Sequence, residues 1–156
     1  MTTEPKAAIH YLTVQDILWI NHEVTREVLP YKYAQLEEAT FGQYAYGGSH
    51  DVIKQAATFL SAFSRLKPFE RGNRGTAFIA VLAFLALNGH IIVLEPSRAS
   101  DWYQKGSGRT TDARAAILNA IAEGDPQPMD LRPAIRTIVR DLLKVYDGEL
   151  ETIETA

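Results

Sequence analysis

Residues 65–75 gather the side chains with the most chemical scope in this chain. Arg65, Lys67, Arg71 and Arg74 stand against one carboxylate, Glu70, a local net of +3. The whole 156-residue chain carries −3, so everything outside this stretch sums to −6. Gly72 and Gly75 let the backbone turn with few steric limits. The stretch leads straight into an apolar segment. If that segment is a helix, its first N–H groups lack intrahelical partners and its dipole presents a positive end. Gly72-Asn73-Arg74-Gly75 at such a turn has the donors to wrap a phosphate. The plainer alternative is a solvated basic loop in which Gly72 and Asn73 only cap the helix.

Other polar groups offer less. Lys105-Gly106-Ser107-Gly108-Arg109 is rich in glycine and cations, but it lacks the Gly-Lys-Ser/Thr order of a P-loop and reads as a surface loop. His10, His22, His50 and His90 all lie more than ten residues from the basic loop, and no His-Glu spacing suggests a metal. Cysteine is absent, which excludes disulfides, zinc–thiolate sites, iron–sulfur clusters and cysteine nucleophiles. Tyr31, Tyr33, Phe41, Tyr44 and Tyr46 read as core and groove-wall packing. Glu149, Glu151 and Glu154 read as a solvated acidic tail.

Helices must position these groups. Thr13-Val14-Gln15-Asp16 resembles a capping box, with Asp where Glu or Gln is usual. Val14, Ile17, Leu18, Asn21, Val24 and Val28 follow at helical spacing, and Pro30 marks a stop. A second helix is expected over Tyr33 to Gln43. Tyr46-Gly47-Gly48 signals a turn, and Ser49 is the expected N-cap of a third helix. Ile53, Ala56, Ala57, Leu60, Phe63 and Ser64 give that helix an apolar face, and Pro68 ends it. Thr76 to Leu87 is apolar on every side. It is too long for an ordinary strand and rich in alanine, so it reads as a helix at the centre of a domain, over about 76–88. Ile91 to Leu94 is a short strand or an extended link. Further helices are expected from Pro96 to Lys105, from a Thr110-Thr111-Asp112 cap to Glu123 with Gly124 as the stop, and from an Asp130 cap with Pro133 in the first turn. Ile135, Ile138, Val139, Leu142, Leu143 and Tyr146 line the inner face of the last one. Six or seven helices and almost no strand make the class all-α. The expected division is an N-terminal arm at 1–10, one domain over 11–146 and a frayed acidic tail over 147–156.

Composition agrees with a globular chain: 46% of residues are apolar and 22% charged, near ordinary values. The longest apolar run, Ala77 to Leu87, falls well short of the roughly twenty residues a bilayer-spanning helix needs. Met1-Thr2-Thr3-Glu4-Pro5-Lys6 lacks a signal-peptide pattern, which together with the missing cysteines is compatible with a cytoplasmic protein. No membrane partner is expected. The acidic balance, and the lack of a basic helical stripe interleaved with aromatics, argue against nucleic acid.

Lys67-Pro68-Phe69-Glu70-Arg71-Gly72-Asn73-Arg74-Gly75-Thr76-Ala77, followed by an apolar helix ending Leu85-Ala86-Leu87-Asn88-Gly89, resembles the motif of the Fic/Doc family. The resemblance is closest to the death-on-curing (Doc) branch, whose motif reads roughly His-Pro-Phe-x-Asp/Glu-Gly-Asn-Lys-Arg-Thr-Ala. The opening Tyr11-Leu12-Thr13-Val14-Gln15-Asp16-Ile17-Leu18 is similar to the start of Doc proteins, so the likeness spans about 11–125. It implies an all-α Fic-fold bundle with the motif between two central helices. Active members of the family move AMP, or in Doc toxins a phosphate, from a nucleotide to a protein hydroxyl. The motif histidine is the general base, the acidic residue helps hold Mg²⁺, and the helix N-terminus, asparagine and arginine hold phosphates. Doc toxins pair with an antitoxin, and elongation factor Tu is their known target.

Three positions depart from that pattern. Lys67 stands in place of the histidine, and lysine, with an ordinary pKa near 10.4, is an acid at pH 7. Arg71 stands at the acidic position, with Glu70 one place early. Gly75 stands at the arginine position, with Arg74 one place early. One residue is about 100° around a helix, so an offset residue is not a clean replacement. Phe69, Gly72, Asn73 and Arg74 match. The resemblance therefore implies a degenerate Doc-like protein that keeps an anion loop for ATP or another nucleotide, with Phe69, Glu70, Arg71, Gly72, Asn73, Arg74 and Gly75 as candidate binding residues. Lys67 is the candidate in the catalytic position, and Lys67 and Arg71 stand in for Mg²⁺ as counter-charges. A groove beside the central helix would take an antitoxin or another protein. The alternative is an active toxin-type transferase with altered chemistry.

Overall fold

In the computed structural model, which describes residues 9–44, 51–122 and 134–155, the capping box at Thr13 forms as its residue types dictate. The Thr13 hydroxyl accepts from the Asp16 N–H, and the Asp16 carboxylate accepts from the Thr13 N–H. Helix α1 (Val14–Thr25) follows. It stops short of the expected Val28, because Arg26 takes the left-handed conformation, φ 63°, and closes the last turn onto the His22 carbonyl. Val28 lies outside the helix and is 88% exposed.

Helix α2 (Tyr33–Phe41) ends two residues before the expected Gln43, whose buried carboxamide instead holds both backbone groups of Leu12. Helix α3 (Val52–Leu66) begins at an Asp51 cap, whose carboxylate accepts from the Lys54 N–H. Asp51, not Ser49, is therefore its N-cap; Ser49 and the 46–48 turn lie outside the described residues. Lys67 ends α3 in the left-handed region, φ 46°, so Pro68 stops the helix as expected, although Lys67 does not become extended.

Helix α4 (Asn73–Leu87) is the centre of the fold, and every residue from Gly75 to Leu85 is buried. Helices α1 and α3 pack against it. Each fully buried phenylalanine, such as Phe59, Phe63, Phe78 and Phe84, contributes roughly 1.5–3 kcal/mol. Asn88 closes α4 with its carboxamide on His10 and Phe84, tying residue 10 to the core.

Ile91–Leu94 is an extended link, not a strand: Ile92 and Ile121 form one isolated antiparallel bridge. A 3₁₀ turn at Pro96–Arg98 leads into α5 (Ala99–Gly106). Helix α6 (Thr110–Ala120) stops three residues before the expected Glu123, because Ile121 turns extended to meet Ile92. Thr110 is already helical, so the Thr110-Thr111-Asp112 cap is not formed; Arg109 precedes the helix without a side-chain cap. Helix α7 (Ile135–Tyr146) buries Ile138, Val139, Leu143 and Tyr146, as its spacing requires, and packs on α4. Gly124, Asp130 and Pro133 lie outside the described residues.

Residues 147–155 are not a frayed tail. A 3₁₀ turn at Asp147–Glu149 leads into α8 (Leu150–Thr155), which packs against α4 and α5 with Leu150 and Ile153 buried. Two apolar residues three apart seat one helical turn on the core, and the carboxylates around them hide that signal in the sequence. The described residues are all-α in class, with eight α-helices and no strand.

Tyr103 links α5 to α3: its hydroxyl is 2.8 Å from Ser64 Oγ. Burial pushes the Tyr103 phenol above its ordinary pKa, while the Ser64 hydrogen bond and the Arg74 charge pull the other way. Tyr146 is raised too, by burial and then by Glu95. A raised folded-state pKa means stability that is complete below the unfolded value, near 10, and lost as pH rises above it toward the folded value. Urea midpoints should therefore hold from pH 8 to about 9.5 and fall above about 10. Tyr103→Phe should cost about 1 kcal/mol at pH 8 and make the alkaline fall shallower. A variant that falls as steeply as wild type would show that Tyr103 has no part in it.

Candidate functional site

Helix α4 begins at Asn73, three residues before the apolar run, so Gly72 is its cap and Asn73, Arg74 and Gly75 open its first turn. Gly72 precedes it in the left-handed region, φ 76°. An added Cβ there would lie 2.3 Å from Thr25 Cγ2, so α1 and the loop approach more closely than a side chain allows. Asn21, buried on α1, donates to the Arg71 carbonyl at 3.2 Å and to Thr76 Oγ1 at 3.0 Å. It thereby latches the loop to the helix the loop feeds. The Asn73 carboxamide turns back on the loop, accepting from the Phe69 N–H at 2.9 Å and donating to the Phe69 carbonyl at 2.8 Å. On the far side, Lys32 N donates to the Pro68 carbonyl and Glu70 N to the Pro30 carbonyl. The loop is held on one flank by the Asn21 side chain and on the other by backbone bonds.

The α4 N-terminus already holds an anion. Glu154 Oε2, on α8, accepts from the Arg74 N–H at 3.0 Å and the Gly75 N–H at 3.1 Å. A carboxylate so placed satisfies two orphan donors and opposes the positive dipole end, worth about 0.3–2 kcal/mol. Arg74 and Glu154 both act on the Tyr103 phenol, so all three charges or dipoles share one neighbourhood. Glu154 was expected in the solvated tail. It is instead the carboxylate on the N–H groups that open α4, brought there by a helix some eighty residues away in sequence.

The other motif side chains do not converge on this point. Lys67 is exposed at the end of α3, and Glu70 is exposed beside it. The Arg71 guanidinium pairs with Glu27. Phe69 is buried, 6.4 Å from the Phe63 ring and 6.3 Å from that of Tyr31, so it anchors the loop in the core. Gly75 packs against Val24, on which an added Cβ would close to 2.9 Å. Among the described residues, no three His, Cys, Asp or Glu side chains gather in a way that could hold a metal ion.

A groove of about 360 Å³ adjoins the loop, between α1 and residues 27–31, and reaches Phe69. A larger cleft, about 540 Å³, lies between α5, α6 and residues 93–95 around Trp102. It touches none of the motif residues, so size alone is a poor guide to the site here. Tyr31 is a groove wall, as its sequence context suggests. Tyr33, Phe41 and Tyr44 are exposed rather than in the core, and Tyr46 lies outside the described residues. No helix among the described residues is long and apolar enough to cross a membrane. No family model, curated protein or solved structure matches this chain.

Proposed function

We propose that this chain is a Doc-like protein of the Fic/Doc type, catalytically degenerate, that keeps an anion cradle at its motif and a groove for a peptide or protein partner such as an antitoxin. The observation that carries the reading is the Glu154 carboxylate on the Arg74 and Gly75 N–H groups. The cradle takes an anion, and the chain supplies one. A nucleotide phosphate entering there must displace Glu154.

Degeneracy follows from what surrounds the cradle. Lys67 offers an ammonium where a base is needed, and lysine holds its proton at pH 7. Arg71 stands at the acidic position and is paired with Glu27. The residues present do not fit Mg²⁺, since a cation occupies the position of its carboxylate ligand and no acidic cluster among the described residues replaces it. Asn73 holds the loop closed, Arg74 and Gly75 supply N–H donors, and Asn21 fixes the loop to α1. Those residues bind and orient an anion; none is placed to accept a proton from an attacking hydroxyl.

Calorimetry with ATP, on wild type and Glu154→Gln, with Mg²⁺ or with EDTA, tests this reading. Glutamine keeps the shape and removes the charge that competes with phosphate. ATP should bind Glu154→Gln at least about tenfold more tightly than wild type, a gain of about 1.4 kcal/mol, with no loss in EDTA. If neither protein binds ATP, the loop only caps its own helix and the anion reading fails. Binding that requires Mg²⁺, or transfer of the γ-phosphate or AMP to a protein hydroxyl such as that of elongation factor Tu, would overturn the degeneracy and favour the transferase.

A further inference from the structure

The groove between α1 and residues 27–31 has three features that the anion cradle does not use. Its floor is apolar, built from Leu18, Trp19, Leu29 and Phe69, and its 360 Å³ leaves room for about two ring-sized groups, since a cavity of about 150 Å³ takes one benzene. Apolar surface continues out of its mouth: Val28 is 88% exposed, Tyr31 45% and the adjoining Tyr33 58%. Contiguous exposed apolar side chains beside a groove mark an interaction surface.

The third feature is charge. The Arg136 guanidinium stands 4.7 Å from the centroid of the Trp19 ring, at the groove's edge. Among the described residues it makes no ion pair. Glu27 is the one carboxylate among the groove's lining residues, and Arg71 holds it. The rim is thus positive on a chain whose net charge is −3. A guanidinium lying on an aromatic face keeps its N–H fork open to a carboxylate.

We infer that this groove takes a peptide segment of a partner protein that carries one or two bulky apolar anchors beside Asp or Glu. The anchors fill the floor over Trp19, Leu29 and Phe69, and a carboxylate meets Arg136. Basic peptides are turned away by the same cation. This deepens the partner half of the function proposed above and is independent of the anion half, so the ATP experiment and the one below can fail separately.

The test is selection of phage-displayed random twelve-residue peptides on the full chain, followed by binding of the synthetic winners. Val28→Asp, Tyr31→Asp and Arg136→Glu serve as controls; all three side chains are exposed, so the fold tolerates them. Enriched peptides should combine a Leu or aromatic anchor with adjacent Asp or Glu. They should shift the Trp19 emission, weaken with added salt, and bind each variant at least tenfold more weakly. No enrichment, winners without acidic residues, or affinities unchanged in the variants would overturn the inference. A concentration-dependent dimer abolished by Arg136→Glu would overturn it too, and give the groove to a second copy of this chain.

Discussion

Gly72→Ala will lower the unfolding free energy by about 2–5 kcal/mol, because two separate costs fall on one methyl group. The first is conformational. Gly72 sits at φ 76°, where an L side chain costs about 1–2 kcal/mol. The second is steric. The new Cβ would stand 2.3 Å from Thr25 Cγ2 and 3.2 Å from Asn21 Nδ2, and overpacking of this kind costs about 1–3 kcal/mol. The two costs separate in a double-mutant cycle. Thr25→Ser removes Cγ2 and keeps the hydroxyl that bonds to the Asn21 carbonyl. In Thr25→Ser/Gly72→Ala the steric part should return, leaving about 1–2 kcal/mol. Urea denaturation of the four proteins measures this. Gly72→Ala within 0.5 kcal/mol of wild type would mean that α1 does not clamp the loop as described, since that is the ordinary range of a surface substitution. Asn21 is pressed by the same methyl group and holds both Arg71 and Thr76, so the variant should also lose anion binding.

Local signals and distant ones differ sharply in how far they could be read from sequence. The Thr13–Asp16 box depends on residues three apart, and it forms. The apolar run of α4 is too long for a strand and too uniform for a surface, and it lies at the centre. Helix ends were harder. Helix α4 starts at Asn73 because the Asn73 side chain closes on Phe69, and the polar letters Asn-Arg-Gly gave no apolar period to extend. Helix α1 stops early because Arg26 turns left-handed, a choice no letter near it demands. The site itself was half legible. The glycines and the helix N-terminus mark an anion cradle, but its occupant, Glu154, comes from the other end of the chain. Nothing local distinguishes Glu154 from Glu149 or Glu151. Only the Leu150/Ile153 pair hints that this turn is seated, and one turn is too short for a periodic signal. Arg71 tells the same story: its charge invites an anion, and its partner Glu27 is a contact between α1's exit and the loop that spacing cannot reveal.

Arginine at position 75, the residue carried there by the Fic/Doc motif that this stretch resembles, will destabilise the protein by about 1–3 kcal/mol and, on the function proposed above, will bring no transferase activity. Gly75 has ordinary helical geometry, so conformation favours a side chain, by less than the roughly 0.5–1 kcal/mol of a mid-helix glycine because it stands in the first turn. Space opposes it. The Cβ alone would lie 2.9 Å from Val24 Cγ1, 3.8 Å from Leu150 Cδ2 and 4.0 Å from Leu150 Cβ. Alanine should therefore be near neutral, its gain offset by a small shift of Val24. Beyond Cβ, arginine's Cγ, Cδ, Nε, Cζ and two Nη atoms must thread between α1 and α8, and α8 must move. Moving α8 carries Glu154 off the Arg74 and Gly75 N–H groups, so Gly75→Arg should lose stability and expose the cradle together. Val24→Ala/Gly75→Arg should recover part of the loss. Urea midpoints report the stability, and incubation with γ-labelled ATP and acceptor protein reports the chemistry, for which no signal is expected. Full stability with ATP binding in Gly75→Arg would show that α1 and α8 leave room for the arginine. That outcome would tie the glycine at 75 and the docking of α8 into one packing arrangement. In that arrangement Val24 and Leu150 fill the space that an arginine at 75 would need and Glu154 holds the N–H groups that a phosphate would need, so on the proposed reading Lys67→His alone produces no transfer.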